Sequence, residues 1–208
     1  MNYVNYERRE IFMKEFSKQK GFTLVELLIV IVVIGVLSAM MMLSSTEAVS
    51  SAKAAKVIND LTVLKKAVIS WYVDNYDKVV KENKNGKDNY LVKVGNNSQY
   101  LGVFAKDHGG DKEFMKYLGT STPVTLTKDN STKPGEYLLA TEGNRWFVAY
   151  DAGSDMKLRE KIAGKAKSLM LYGATKKTNS NGNILADTDN IHAYTAADQK
   201  VYMLIMEF

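Results

Sequence analysis

The sequence predicts an α+β fold in which one long N-terminal helix lays its second half against a mostly antiparallel C-terminal sheet. Three observations lead there. An uncharged apolar run spans residues 27–46, a helical period continues beyond it to about Lys81 with no Gly or Pro between Glu47 and Lys81, and the remainder breaks into short strand-like segments separated by turn residues.

The apolar run comes first. Leu, Ile, Val and Met dominate it, and about twenty residues at a rise of about 1.5 Å each cover roughly 30 Å, the thickness of a bilayer core. Lys14, Lys18 and Lys20 precede it, whereas the first charge after it is Glu47. That asymmetry places the N-terminus in the cytoplasm and exports the chain beyond Ser44. An ordinary secretory signal is disfavoured, because the run is too long for an h-region and Ser38-Ala39 leads straight into Met40, Met41 and Met42 instead of a small-residue cleavage site.

Past the anchor, Val49, Ala52, Ala55, Ile58, Leu61, Leu64, Val68, Trp71, Tyr72 and Val79 recur at steps that mark one helix face. Lys53, Lys56, Asp60, Lys66, Ser70, Asp74 and Lys78 fall on the rest, with Asp74 and Lys78 spaced as an i, i+4 pair. A helix from Thr23 to about Lys81 would run roughly 85 to 90 Å, too long for a compact soluble domain, so its first half belongs in lipid or in a filament core. Trp71, Tyr72 and Tyr76 read as packing against a sheet.

In the remaining residues, 83–208, Tyr90–Val94, Tyr100–Phe104 and Val124–Thr127 read as strands and Asp111–Leu118 as a short helix stopped at Gly119. Glu136–Thr141 and Arg145–Asp151, joined by Glu142-Gly143-Asn144, read as a hairpin. Ser154 is placed to cap a helix over 155–172 closed by Gly173, with Ile162, Ala166 and Leu169 on one face. Residues 174–190 read as polar loop and Lys200–Met206 as a terminal strand.

Composition and motifs argue against catalysis. With no cysteine, thiol chemistry and disulfides are absent, and the two histidines, His108 and His192, lack metal-ligand spacing to each other. No dinucleotide fingerprint occurs, and Gly164-Lys165-Ala166 lacks the Ser or Thr of a phosphate loop. The net charge of +5 is interleaved with acids and apolar residues instead of forming one dedicated patch. An ordinary single-pass membrane enzyme is therefore the weakest of the functional classes considered.

At the mouth of the apolar run stands Lys20-Gly21-Phe22-Thr23-Leu24-Val25-Glu26-Leu27, preceded by a short basic segment. There the sequence resembles the type IV pilin and type II secretion pseudopilin superfamily, and weaker similarity runs through Ala54-Ala55-Lys56 to Asp74-Asn75, about the first 80 residues. The resemblance implies a pilin-like fold and a leader, residues 1–21, cut by prepilin peptidase between Gly21 and Phe22, with methylation of the new Phe22 amine. Residues 22–46 would then form the membrane and filament-core helix, 47–82 its exported continuation and 83–208 the globular domain. It further implies storage in the inner membrane lipid, then assembly with other pilin or pseudopilin subunits through an inner-membrane platform and its cytoplasmic ATPase. Glu26 has two readings that remain open together. Thr23-x-x-Glu26 is a capping box, and the family pairs this carboxylate with the Phe22 amine of a neighbouring subunit.

The leader is long for this family. Met13 offers an internal start giving the nine-residue leader Met13–Gly21, with Arg8-Arg9 placed where purine-rich codons would resemble a ribosome-binding site. Two departures leave the system open among pilus, secretion and competence filaments: no Pro stands at the position aligning with Leu43, and the family's C-terminal Cys pair is missing. Gly35 retains the mid-anchor glycine, which would permit local melting or close helix packing. A DNA-uptake pilin would use Lys157, Arg159, Lys161, Lys165 and Lys167 as its contact, although a solvated helix face explains them more simply. No cofactor is expected beyond a weak calcium candidate at Asp187 and Asp189, with Asn181 and Asn183 nearby, in a loop that a solvated reading also explains.

Overall fold

The structure, a computed structural model, describes residues 21–84, 86–107, 110–118, 126–127, 134–174 and 191–208. Its first element, helix α1 (Leu24–Asp74), is 51 residues long and free of proline, so no residue of that kind interrupts its hydrogen-bond ladder. The chain divides into two compact units, Met1–Thr46 and Glu47–Phe208.

In the first unit, the large apolar side chains from Phe22 to Met42 are exposed. By length and composition α1 can cross a membrane, and none of its apolar window is buried in the protein. That much exposed apolar surface is not tolerated in water, so lipid or other chains must cover it.

In the second unit α1 is the floor of the core. Ala54, Val57, Leu61, Leu64, Ala67, Val68 and Trp71 are buried. The expected face is correct from Leu61 to Tyr72 and displaced before it: Val49, Ala52 and Ala55 are exposed and Ile58 only half-buried. Ala52, Ala54 and Ala55 point in different directions, and small residues on several faces give periodicity nothing to discriminate. Asp60, expected on the solvent side, is buried.

The helix ends at Asp74, seven residues before the expected Lys81. Asn75 donates its side-chain amide to the Trp71 carbonyl at 2.9 Å, a 3-10 turn (Tyr76–Lys78) follows, and strand β1 (Val79–Lys84) begins. Val79-Val80-Lys81, expected at the end of the helix, instead pairs with strand β2 (Lys87–Val94), Val79 opposite Val92 and Lys81 opposite Tyr90. Strand β3 (Asn97–Gln99) completes an antiparallel three-stranded sheet. Instead of the expected Asp74–Lys78 pair, Asp74 accepts the Tyr117 hydroxyl at 2.6 Å and Lys78 lies 3.9 Å from Glu113.

Tyr100–Phe104, read as a strand, instead opens helix α2 (Leu101–Asp107), followed by helix α3 (Gly110–Leu118). Leu101, Phe104 and Ala105 are buried, a step of three and four that a five-residue window is too short to separate from alternation. Phe104 and Phe114 close on Trp71, each ring centroid 5.2 Å from it, and the indole donates to Glu113 at 2.8 Å. Trp71 therefore faces helices. Tyr72 meets the sheet through Trp146 and Phe208, and Tyr76 is 70% exposed, so the expected aromatic cluster does not act as one.

Among the described residues the main sheet has six strands: β4 (Leu126–Thr127), β5 (Tyr137–Glu142), β6 (Arg145–Asp151), β7 (Leu171–Ala174), β8 (Ile191–Ala193) and β9 (Lys200–Glu207). Their order is β4-β5-β6-β9-β7-β8, antiparallel except for β4 beside β5. The expected hairpin is present with a tighter turn: Glu142 pairs with Arg145, leaving Gly143-Asn144 as the loop, and Gly143 takes the positive φ of 56° that a two-residue turn needs. Leu139, Val148 and Met203 face the α1 side, while Leu138, Ala140, Phe147, Ala149 and Tyr202 form a second cluster on the other face.

Helix α4 (Met156–Leu169) starts one residue later than expected. Asp155, not Ser154, is its cap, accepting from the Leu158 amide at 3.0 Å. Met170 in the left-handed conformation ends it, and Leu171–Ala174 is taken into the sheet beside β9, Leu171 opposite Met203. The expected end at Tyr172-Gly173 gives way because that segment has a strand partner. Leu158, Ile162 and Ala166 are buried, whereas Leu169 is on the exposed side. The expected loop lies outside the described residues over 175–190.

Candidate functional site

At the head of α1 the side chains are ordered by the helix end itself. Four amides of a first turn lack intrahelical partners. Thr23 Oγ1 accepts from the Glu26 amide at 3.2 Å, while Glu26 Oε2 accepts from the Thr23 amide at 2.8 Å and from its hydroxyl at 2.9 Å. This is a complete capping box. Both bonds to the carboxylate converge on Oε2, and among the described residues Oε1 has no partner of its own. Gly21 and Phe22 precede the first turn, Phe22 is 86% exposed, and a Cβ at Gly21 would meet nothing within 4 Å. The geometry thus brings Thr23 and Glu26 together and leaves the Gly21-Phe22 peptide outside the packed structure. Residues 1–20, including Met13 and Lys20, lie outside the described residues.

In the second unit an open groove of about 890 Å³ runs between α1, the 134–136 segment and the start of α4. Asp60 forms its floor, 5% exposed and accepting the Tyr137 hydroxyl at 2.8 Å. The Tyr137 and Tyr150 rings stand 4.9 Å apart beside it, and Lys53, which lies 4.0 Å from Asp155, lines the rim with Lys56 and Glu136. Burial, then the hydrogen bond to Asp60, pushes the Tyr137 phenol well above its ordinary range. The groove was not anticipated from sequence. Its signal was there: Val57, Asp60 and Leu64 share the core row of α1, and a carboxylate in that row needs a donor across the core.

The five cations proposed as a DNA contact do not form one surface. Arg159 is buried and donates to the Ala197 carbonyl at 3.3 Å, and Lys161 donates to Glu47 at 3.2 Å. Lys157, Lys165 and Lys167 are exposed. His192 meets Asp198 at 3.0 Å, and the same carboxylate accepts from the Thr195 amide and hydroxyl, each at 2.9 Å. Among the described residues no cluster of three or more His, Asp or Glu could hold a metal ion, and the calcium candidates Asp187 and Asp189 lie outside them.

An exposed apolar helix opened by a capped Thr-x-x-Glu and preceded by Gly-Phe defines a class, the chains with a prepilin-type N-terminus. Residues 16–42 match the family model described as the prokaryotic N-terminal methylation motif, so the chain carries that motif. It is similar to the type II secretion system core protein G of Escherichia coli (strain K12), with 34% identity over 64 residues, 31% of this chain and 44% of that protein. The chain thus spans less than half the length of this curated relative. No solved structure matches it.

Proposed function

We propose that this chain is a structural subunit, not a catalyst, of a filament of the type IV pilus or type II secretion kind. One observation carries the proposal: the methylation-motif match across residues 16–42 ends in a helix whose apolar side chains have no cover of their own. Prepilin peptidase cuts between Gly21 and Phe22, and the Phe22 amine is then methylated. The structure supports that reading at Gly21, where folding sets no demand for glycine, since a Cβ would meet nothing. A demand for glycine would then come from outside the fold, from a peptidase that must approach the backbone closely.

Before assembly the apolar half of α1 sits in the inner membrane as a single span, with its N-terminus cytoplasmic and the unit from Glu47 onward exported. An assembly platform and its ATPase withdraw it into the filament, where the helix packs against other subunits. Glu26 serves twice: Oε2 stays in the capping box while Oε1 receives the Phe22 ammonium of a neighbouring subunit. Mass spectrometry of the N-terminus in membranes from peptidase-positive cells tests the proposal. A chain beginning at methylated Phe22, with precursor accumulating in Gly21→Val, is the expected result; an intact Gly21-Phe22 bond in the parent chain overturns it.

A further inference from the structure

Helix α4 presents Lys157, Lys161, Lys165 and Lys167 to solvent against a single carboxylate, Glu160. Lys157, Lys161 and Lys165 recur at steps of four and so share one side of the helix. Each stands one position before a buried residue, Leu158, Ile162 or Ala166, so the lysine row borders the packed face. The middle lysine fixes where that row lies. Lys161 Nζ is 3.2 Å from the Glu47 carboxylate, a contact that spans 114 positions of sequence. The next charges along α1 and α4 offset each other, Lys53 lying 4.0 Å from Asp155.

Glu47 is the first charge after the apolar run and follows it directly in the chain. Desolvation keeps a carboxylate out of hydrocarbon, so in an anchored subunit Glu47 marks the depth at which lipid headgroups begin. Lys161, paired with it, stands at that same depth. Lys157 and Lys165 are one helical turn to either side, about 6 Å along the axis. That is less than the screening length of about 8 Å at physiological salt. Whichever way α4 tilts, the exported unit therefore holds a row of lysines within electrostatic reach of the headgroups.

We propose that the Lys157–Lys161–Lys165 row rests on anionic phospholipid headgroups of the membrane that holds the anchor; the proposal rests on the anchored reading of α1 given above. Charge selects the occupant, because the lysines of α4 outnumber Glu160 and Glu47 together and leave an excess of positive charge for lipid phosphodiesters. Depth selects it as well. A DNA backbone would suit the same lysines, but nothing brings a duplex to the level of Glu47, whereas the bilayer is already there. The contact holds the exported unit against the membrane during storage and is surrendered when the subunit is withdrawn.

The chain contains no cysteine, so one label can be placed on the row. Gly164 lies between Lys161 and Lys165, and a Cβ there would meet nothing within 4 Å. The full chain with Gly164→Cys, labelled with bimane, is reconstituted into vesicles that carry a nitroxide on the choline headgroup of a minor lipid. The vesicles are phosphatidylcholine alone or with phosphatidylglycerol added. Quenching is expected to be stronger with phosphatidylglycerol and to fall with added salt. Inorganic phosphate at matched ionic strength should leave it unchanged, since the charged surface and not one phosphate is recognised. A lysine near an anionic surface contributes about 1 kcal/mol, about fivefold in the ratio of docked to undocked units. Lys157→Gln with Lys165→Gln should then lower that ratio by roughly 25-fold, and Arg at both positions should preserve it. Equal quenching in the two lipids, unchanged in the Gln double variant, overturns this inference and leaves the anchor standing. A DNA duplex that binds the parent but not the Gln double variant, with no lipid dependence of quenching, overturns the choice of occupant. A parent chain that alkaline carbonate strips from the vesicles overturns the anchored reading as well.

Discussion

The Tyr137 hydroxyl donates to Asp60 at 2.8 Å across 77 positions of sequence, fastening α1 to the first residue of β5. Asp60 sits in the core row of the helix, so its carboxylate depends on that donor. Tyr137→Phe removes it and is expected to cost about 1.5 to 3 kcal/mol, the range for a hydrogen bond to a charged group. Asp60→Asn can still accept and should cost less. Urea unfolding of the detergent-solubilised chain, followed through the buried Trp71 and Trp146, measures both. A double variant whose loss equals the sum of the singles would mean that the two side chains are not coupled.

Alkaline pH should expose the same contact. Burial first, and Asp60 second, hold the Tyr137 phenol above its ordinary value, and burial does the same at Tyr194 and Tyr202. The folded chain then keeps these protons more tightly than the unfolded chain. Their contribution to stability is complete below the unfolded value of about 10 and declines as pH rises beyond it. Unfolding midpoints should be insensitive to these groups at pH 7 to 9 and fall above about pH 10. Tyr137→Phe should make the alkaline fall shallower.

Gly173 is held open by Asp198. A Cβ on Gly173 would overlap the Asp198 carboxylate, which is fixed from its other side by Thr195 and His192. Gly173→Ala is therefore expected to cost about 1 to 3 kcal/mol through overpacking. In an Asp198→Ala background the same change should cost much less, because the obstructing group is gone. Equal costs in the two backgrounds, measured by thermal unfolding, would show that Asp198 is not the source of the cost.

Glu26→Gln separates the two services of that side chain. The amide can still accept from the Thr23 amide and hydroxyl, so the capping box and membrane insertion should survive. A filament role needs the charge, and leaving a neighbour's ammonium unpaired in an apolar core costs roughly 3 to 5 kcal/mol. The variant should be processed and inserted normally yet absent from sheared filaments. Parental filament yield at matched membrane level would return Glu26 to capping alone.

Local chemistry made much of this protein legible. The uncharged run, the Thr-x-x-Glu before it and the Gly-Phe junction carry their meaning in consecutive residues, and so do the Gly143 turn and the apolar terminal strand from Lys200. Each depends on backbone preference, spacing or solubility that a short segment expresses by itself. The tertiary structure decided what depends on a distant partner. Val79–Lys84 left the helical pattern because β2 was there to pair with it, and Leu171–Ala174 did the same beside β9. Asp60 entered the core because Tyr137 could meet it, and Ala54 instead of Ala52 or Ala55 faced inward because alanine on several faces leaves the choice to the surrounding packing. Periodicity records which residues can share a face, whereas contact with the rest of the fold determines which face is buried and where an element stops.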